Sequence, residues 1–551
     1  MSAARVRLRA RLMSIARVWQ CANCYIKRAQ CGARRGKSAF PENKEHNLNI
    51  KEAKQEIIYT IGAYLAKDEN GTYEIPRERQ RPVLLMGPPG VGKTAIMRQI
   101  AEEMGIGLVS YTITHHTRQS AIGLPYIAKR SYGGTEYSVT EYTMSEIIAS
   151  VYEQIERSGV SEGILFLDEI NCVSETLAPT MLQFLQYKTF GTHRLPDGYV
   201  LVTAGNPVEY NRSVRDFDIV TLDRVKKLDV DHDFTVFKEY AYRNAIHGSI
   251  PAYLEIRKEH FYEVKSDADG KKFVTARSWE DLSGSLKVYE KLGQPVTENL
   301  IGAFLQDPEI ARSFAVYYEL WNKYRNIYRI PDVLAGRMPE DTEMLKNAGF
   351  DEKLSLIGLL VASLTREFTA CDEEKKVQTE LFGILKQIRS EIAADSEGRS
   401  VLALVRDHCD ALSDELDRKK NAQMLSREEE RTGRTAVRIL HDLSGLLARE
   451  AGGDTAGDYG LVKSWFADRE TARKENVYLT GMHLENAFAF LNSVYGESQE
   501  IVMFLTELTR GHFAMRFVEQ YGSDSFYKYN KLLLLRDRKK ALQDEIMQLV
   551  D

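Results

Sequence analysis

Apolar positions in the first 232 residues fall into short continuous runs separated by stretches of helical period. Val83 to Met86, Gly107 to Ile113, Gly163 to Leu167 and Val200 to Ala204 are apolar or β-branched runs of strand length. Runs without alternation suit strands buried on both faces, as in a parallel sheet covered by helices on each side. Between them, Ile50, Ile57, Ile58, Ile61 and Leu65 predict a helix within 48–67. Ile147, Ile148, Val151 and Ile155 predict one over 143–157, and a further helix runs to about Gln186. Pro125 to Tyr142 alternates, predicting two short strands that turn at Ser131 to Gly134. A second hairpin is predicted over Lys188 to Tyr199, around His193 to Gly198. Strands alternating with helices mean an α/β, three-layer domain around a mostly parallel sheet.

Past about Asp233 the strand signal fades and helical period dominates. Val377, Leu381, Ile384, Leu385, Ile388 and Ile392 make one apolar stripe. Charges of both signs crowd between Asp410 and Arg434, the pattern of a solvated helix or loop, and Gly452 to Gly460 reads as a loop. The expected organisation is a basic extension over 1–45, the α/β domain over 46–232, a helical lid over 233–330 and an all-α region over 331–551.

The run Val83 to Met86 opens onto Gly87, Pro88, Pro89, Gly90, Val91, Gly92, Lys93 and Thr94, and a helical stretch begins at Ala95. Strand, glycine loop and helix in this order form a phosphate cradle. The glycines let backbone N–H groups turn towards one centre, and the helix adds its positive end there. Lys93 can reach the β- and γ-phosphates, and Thr94 offers a hydroxyl to Mg²⁺. The chain is expected to bind a nucleoside triphosphate.

Hydrolysis needs carboxylates as well. The buried run 163–167 ends in Asp168 and Glu169. Asp168 is placed to hold the magnesium shell, and Glu169 to polarise the attacking water. Asn206 ends the next apolar strand, where its amide can hold that water, although a structural turn at Gly205 to Pro207 reads the same residues.

Composition narrows the setting. The 551 residues are 43% hydrophobic and 28% charged, ordinary for a globular chain with several cores. A net charge of -5 argues against a surface built mainly for nucleic acid. No run of eighteen apolar residues suggests a membrane span, and six cysteines in this length form no disulfide framework. Cys21, Cys24, Cys31 and His46 are spaced too raggedly for a zinc site. Residues 1–40 hold no Asp or Glu but many arginines, from Arg5 to Arg35. That composition fits a transit peptide or a start assigned too early. The expected compartment is the cytoplasm.

The segments GPPGVGKT, ILFLDEIN (Ile164 to Asn171), TAGNP (Thr203 to Pro207) and TLDRV (Thr221 to Val225) together resemble the MoxR branch of the AAA+ ATPases, over about Lys51 to Lys291. The two hairpins resemble the inserts that mark the wider clade. The resemblance implies ATP as the nucleotide, Asn206 as sensor 1, Arg224 as the arginine finger and Arg277 as the sensor 2 residue. It also implies a ring, usually of six subunits, in which the finger acts on a neighbour's nucleotide. Arg212 and Arg215 are rival fingers, and Cys172 stands where the family usually has a basic residue. The implied function is chaperone-like remodelling or metal loading of a partner, often one with a von Willebrand factor A domain. A nucleic-acid motor and a nucleotide-gated scaffold are the competing readings.

Overall fold

The buried runs do assemble into one sheet. The computed structural model describes residues 47–115, 121–210, 214, 217–267, 270–339, 342–394, 399–421, 425–450, 452 and 454–531. The basic extension, Cys21, Cys24, Cys31, His46, Arg212 and Arg215 lie outside the described residues.

Six strands, β1 (Leu48–Asn49), β2 (Val83–Met86), β3 (Gly107–Thr112), β6 (Gly163–Asp168), β9 (Tyr199–Gly205) and β10 (Lys226–Asp231), pair in parallel in the order β1-β10-β2-β9-β6-β3. Successive side chains on a strand point to opposite faces, and the core divides accordingly. Val83, Leu85, Ile164, Phe166 and Val202 face α1 (Ile50–Tyr64) and α2 (Lys93–Met104). Leu84, Leu165, Leu167 and Leu201 face α3 (Glu146–Ser158) and α4 (Ala178–Tyr187). The result is the expected three-layer domain.

The hairpin β4 (Pro125–Tyr132) and β5 (Thr135–Tyr142) turns at Gly133-Gly134, as its alternation predicts. The second hairpin is shorter and turns earlier than expected. β7 (Thr189–Phe190) and β8 (His193–Arg194) reverse at Gly191, which takes the positive φ that the turn needs. Two strand regions depart from the expectation. β10 alternates charged residues with Leu228 and Val230, so only those two reach the core. In the lid, β11 (Glu263–Asp267) and β12 (Gly270–Val274) form a hairpin beyond the point where the strand signal fades.

The lid packs α5 (Phe234–Arg243), α6 (Ser249–Ile256), α7 (Ala276–Leu292) and the start of α8 (Pro308–Tyr328) around Trp279, Tyr253 and Phe314. The remainder is helical. α9 (Phe350–Ala394) and α12 (Thr455–Tyr495) run through two successive cores. One core adds α13 (Gln499–Arg510) and α14 (His512–Tyr521), and it takes in Ala252, Trp321 and Tyr328. The other adds α10 (Val401–Asn421) and α11 (Arg427–Glu450), and the Val377 to Ile392 stripe points into it. α9 is the one helix among the described residues long and apolar enough to cross a membrane, and its apolar stretch is mostly buried inside the fold. The loop expected up to Gly460 stops at Asp454. The Asp454 carboxylate accepts from Gly457 N at 3.0 Å and starts α12 there, leaving Gly457 and Gly460 inside the helix.

Candidate functional site

In a parallel sheet every strand ends on the same edge, and here the polar strand ends converge. Gly87 follows β2, Asp168 ends β6 and Asn206 follows β9, three neighbouring strands. The loop between β2 and α2 can form only with glycine at its tight points. Gly90 and Gly92 have φ of +76° and +101°, and a Cβ on Gly87 would lie 2.5 Å from Val230 O. Such a side chain would collide with the main chain of β10 and push the loop out of place.

Lys93 opens α2 and is 7% exposed. Its Nζ donates to Gly87 O at 2.7 Å, Pro88 O at 2.9 Å and Asn206 Oδ1 at 2.8 Å. Burial pulls its pKa down to about 8, aided by the Arg277 guanidinium and opposed by the Asp168 and Glu169 carboxylates. Thr94 Oγ1 donates to Asp168 Oδ2 at 2.7 Å. A hydroxyl and a carboxylate oxygen this close are the kind of oxygen pair a magnesium ion takes beside substrate phosphates. The residues present therefore fit that ion. Val91 and Ala95 bracket Gly92, Lys93 and Thr94 without side-chain polar groups, leaving the cradle to the backbone, Lys93 and Thr94.

Glu169 sits at φ +56°, a left-handed conformation unusual for a residue with a side chain. Its N–H bonds to Asp168 Oδ1 at 2.9 Å, and its carboxylate accepts from Thr114 Oγ1 at 3.2 Å. Backbone strain of this kind persists only where the surroundings over-determine it. Here it turns Glu169 out of line with β6, so that Asp168 and Glu169 project differently from adjacent positions.

The lid reaches the same loop. Tyr262 donates to Pro89 O at 2.9 Å and stacks on His232, with ring centroids 4.5 Å apart. Thr275 caps α7 and packs so closely on Gly90 that a Cβ there would lie 2.8 Å from the threonine Cβ. Arg277, two residues on, is exposed and near enough to depress the Lys93 pKa. Sequence reasoning missed Thr114, Asn171, Tyr262 and Thr275. Thr114 and Asn171 lie next to legible elements, at the end of the β3 run and inside ILFLDEIN. Tyr262 and Thr275 act through a lid hairpin with no strand signal.

Residues 83–216 match the sequence model of the ATPase family associated with various cellular activities (AAA). The chain carries an AAA ATPase domain. No curated protein matches the chain.

Arg224 is the sequence-selected residue that the AAA domain keeps apart from the rest. It precedes β10, whose Lys226 pairs with Val83 at the start of β2, so it lies on the amino edge of the sheet and is exposed. The phosphate loop begins after Met86, at the other end of the same strand. Four residues at about 3.3 Å each separate the two edges by roughly 13 Å. Cys172, beside the two carboxylates, has its thiol pKa raised by burial first and then by Glu169 and Asp168, which disfavours the thiolate there.

Proposed function

We propose that this chain is a Mg²⁺-dependent ATPase that converts ATP and water to ADP and phosphate within a ring, and uses that cycle to remodel a partner protein. The observation that carries this reading is the meeting of Lys93, Thr94, Asp168, Glu169 and Asn206 at one sheet edge. The loop amides and Lys93 would take the phosphates, with Lys93 exchanging its bonds to Gly87 O and Pro88 O for phosphate oxygens. Thr94 and Asp168 would hold the magnesium ion, which would offset the charge on the phosphates. Glu169, released from Thr114, accepts a proton from the water whose oxygen attacks the γ-phosphorus, and the bond to the β–γ bridging oxygen breaks. Asn206 holds that water in line.

Arg224 lies at the opposite edge of the sheet from its own cradle, which supports its use by a neighbouring subunit. Arg277 would report the phosphate charge to the lid. The MoxR-like part of the reading, including a homohexamer, chaperone-like maturation and a partner with a von Willebrand factor A domain, rests on the four motif segments. Binding and turnover are separable under this reading. Lys93→Ala should abolish binding of a fluorescent ATP analogue. Glu169→Gln should bind it normally and hydrolyse ATP at least about 100-fold more slowly, the range for losing a positioned general base. A wild-type rate for Glu169→Gln would remove Glu169 from the mechanism.

A further inference from the structure

The short turn Ile170–Cys172 that follows Glu169 buries a polar side chain at its centre. Asn171 is 3% exposed. Its Nδ2 donates to the main-chain carbonyl of Asn206 at 2.8 Å. Its Oδ1 is buried with no hydrogen-bond partner among the described residues. An apolar residue would avoid the penalty of that unpaired oxygen, so stability alone does not account for an amide here. The opposite strand is shaped to admit it as well. A Cβ on Gly205 would lie 2.6 Å from Asn171 Oδ1, so any larger residue at 205 would drive the amide out.

The bond joins the two strand ends on which hydrolysis depends in the reading above. Glu169 belongs to the turn that holds Asn171, and Asn206 is the acceptor at the far end of the bond. Asn206 also accepts from Lys93 through its side chain. Its backbone is thus tied to the turn bearing Glu169, and its amide to the phosphate loop.

We infer that Asn171 is a positioning residue for hydrolysis. By holding the Asn206 main chain, it sets the separation of Asn206 and Glu169 across the space where the attacking water sits. Asn171 touches neither nucleotide nor water and acts only through Asn206. The inference rests on the proposed role of Asn206. A displacement of about 1 Å at such a site costs on the order of 100-fold in rate, while phosphate binding, made elsewhere in the cradle, is spared.

The test is a double-mutant cycle on the full-length protein, with ATPase rate at saturating Mg-ATP and affinity for a fluorescent ATP analogue measured for each variant. Asn171→Ala should lower kcat by about 10- to 100-fold and leave the analogue's affinity within about threefold. The same-sized Asn171→Asp, which replaces the donor with an acceptor, should do likewise. In an Asn206→Ala background, Asn171→Ala should slow turnover no further. A wild-type kcat for Asn171→Ala, or effects that multiply in the double variant, would overturn the inference. Loss of analogue binding by both Asn171 variants would overturn it too, because the residue would then be structural. A wild-type kcat for Asn206→Ala would instead show that the underlying reading of Asn206 is wrong, and that single variant reveals it alone.

Discussion

The AAA sheet and the C-terminal helices are built from the same apolar side chains but spend their polar groups differently. At the sheet edge, polar groups point at one another across strand ends. Lys93 is buried against two loop carbonyls, Glu169 is held left-handed, and Asn171 keeps an unpaired oxygen. In the helical region they decorate the outside of long stripes, as in Lys419–Glu415 and Arg434–Asp417, exposed pairs that contribute little to stability. Among the described residues no group of His, Cys, Asp or Glu there could hold a metal ion. Buried polar atoms without a partner also occur in the helices, at Gln378 and Tyr495, so it is their convergence with a left-handed Glu169 and a buried lysine that marks the sheet edge.

A buried polar network also lies where the lid meets those helices. Lys238 of α5 is 2% exposed, and its Nζ lies 2.6 Å from Glu255 of α6 and 2.7 Å from Glu507 of α13. Tyr242 donates to the other Glu507 oxygen at 2.6 Å. Beside this network, α6 and α9 approach so closely that a Cβ on Gly248 would lie 2.5 Å from the Ala362 Cβ, and one on Gly358 would lie 2.9 Å from the Ala252 Cβ. Lid and C-terminal helices are therefore held together by a buried ion network and by backbone proximity.

The largest expected effect follows from that junction. Lys238→Ala removes the buried cation between two carboxylates, leaving Glu255 with Lys258 at 3.0 Å and Glu507 with Arg510 at 3.7 Å as charged partners. Breaking a buried pair costs about 3–5 kcal/mol. The denaturation midpoint should fall accordingly. A shift under 1 kcal/mol, the size of a surface pair, would mean that the junction is no firmer than the exposed helix faces. A chain cut after Ile330 should for the same reason fail to stay soluble, since it exposes Trp321 and leaves Lys238 without Glu507. A soluble, monodisperse fragment on gel filtration would contradict the shared core.

A smaller effect concerns pH and the cradle alone. The Lys93 pKa is depressed to about 8, so the free site holds a charged lysine below that pH and loses it above. Phosphate favours the charged form. ATP affinity should therefore be flat below about pH 8 and weaken above it, by at most tenfold per unit for a single proton. Binding near pH 9 should take up a proton, seen as a buffer-dependent heat in calorimetry. The linked stability term has the opposite sign. Burial of the charged lysine opposes folding fully below pH 8, and the penalty is relieved as pH rises towards the unfolded value near 10.5. Affinity independent of pH between 7 and 9.5 would show that Lys93 stays charged despite its burial.

Much of the sheet domain was legible because its strands are buried on both faces. Gly163 to Leu167 and Val200 to Ala204 could hardly be anything else. β10 was not, because only Leu228 and Val230 are buried, while Lys226 on the same face reaches Glu56 and Thr60 of α1 and Lys227 and Asp229 face away. Asp168 and Glu169 were legible from their place at the end of a buried run. Asn171 was quoted within a motif but carried no signal of its own, since its bond to Asn206 spans 35 positions. Tyr262 and Thr275 reach the phosphate loop from more than 170 residues away, a distance that only the folded lid closes. The long helices were legible as helices, but their partition into two cores depends on which stripes meet, and periodicity does not specify that.

The cradle lies on the carboxyl edge of the sheet and Arg224 on its amino edge. The most direct test mixes Arg224→Ala with Glu169→Gln, each expected to bind ATP, assemble and turn over slowly alone. After subunit exchange is confirmed, for instance by fluorescence transfer between labelled variants, the ATPase rate of the mixture is measured. Recovery of partial activity is the predicted result, because an intact Arg224 from one subunit then faces an intact Glu169 in the next. No recovery in confirmed mixed assemblies would contradict a finger supplied by a neighbour through Arg224.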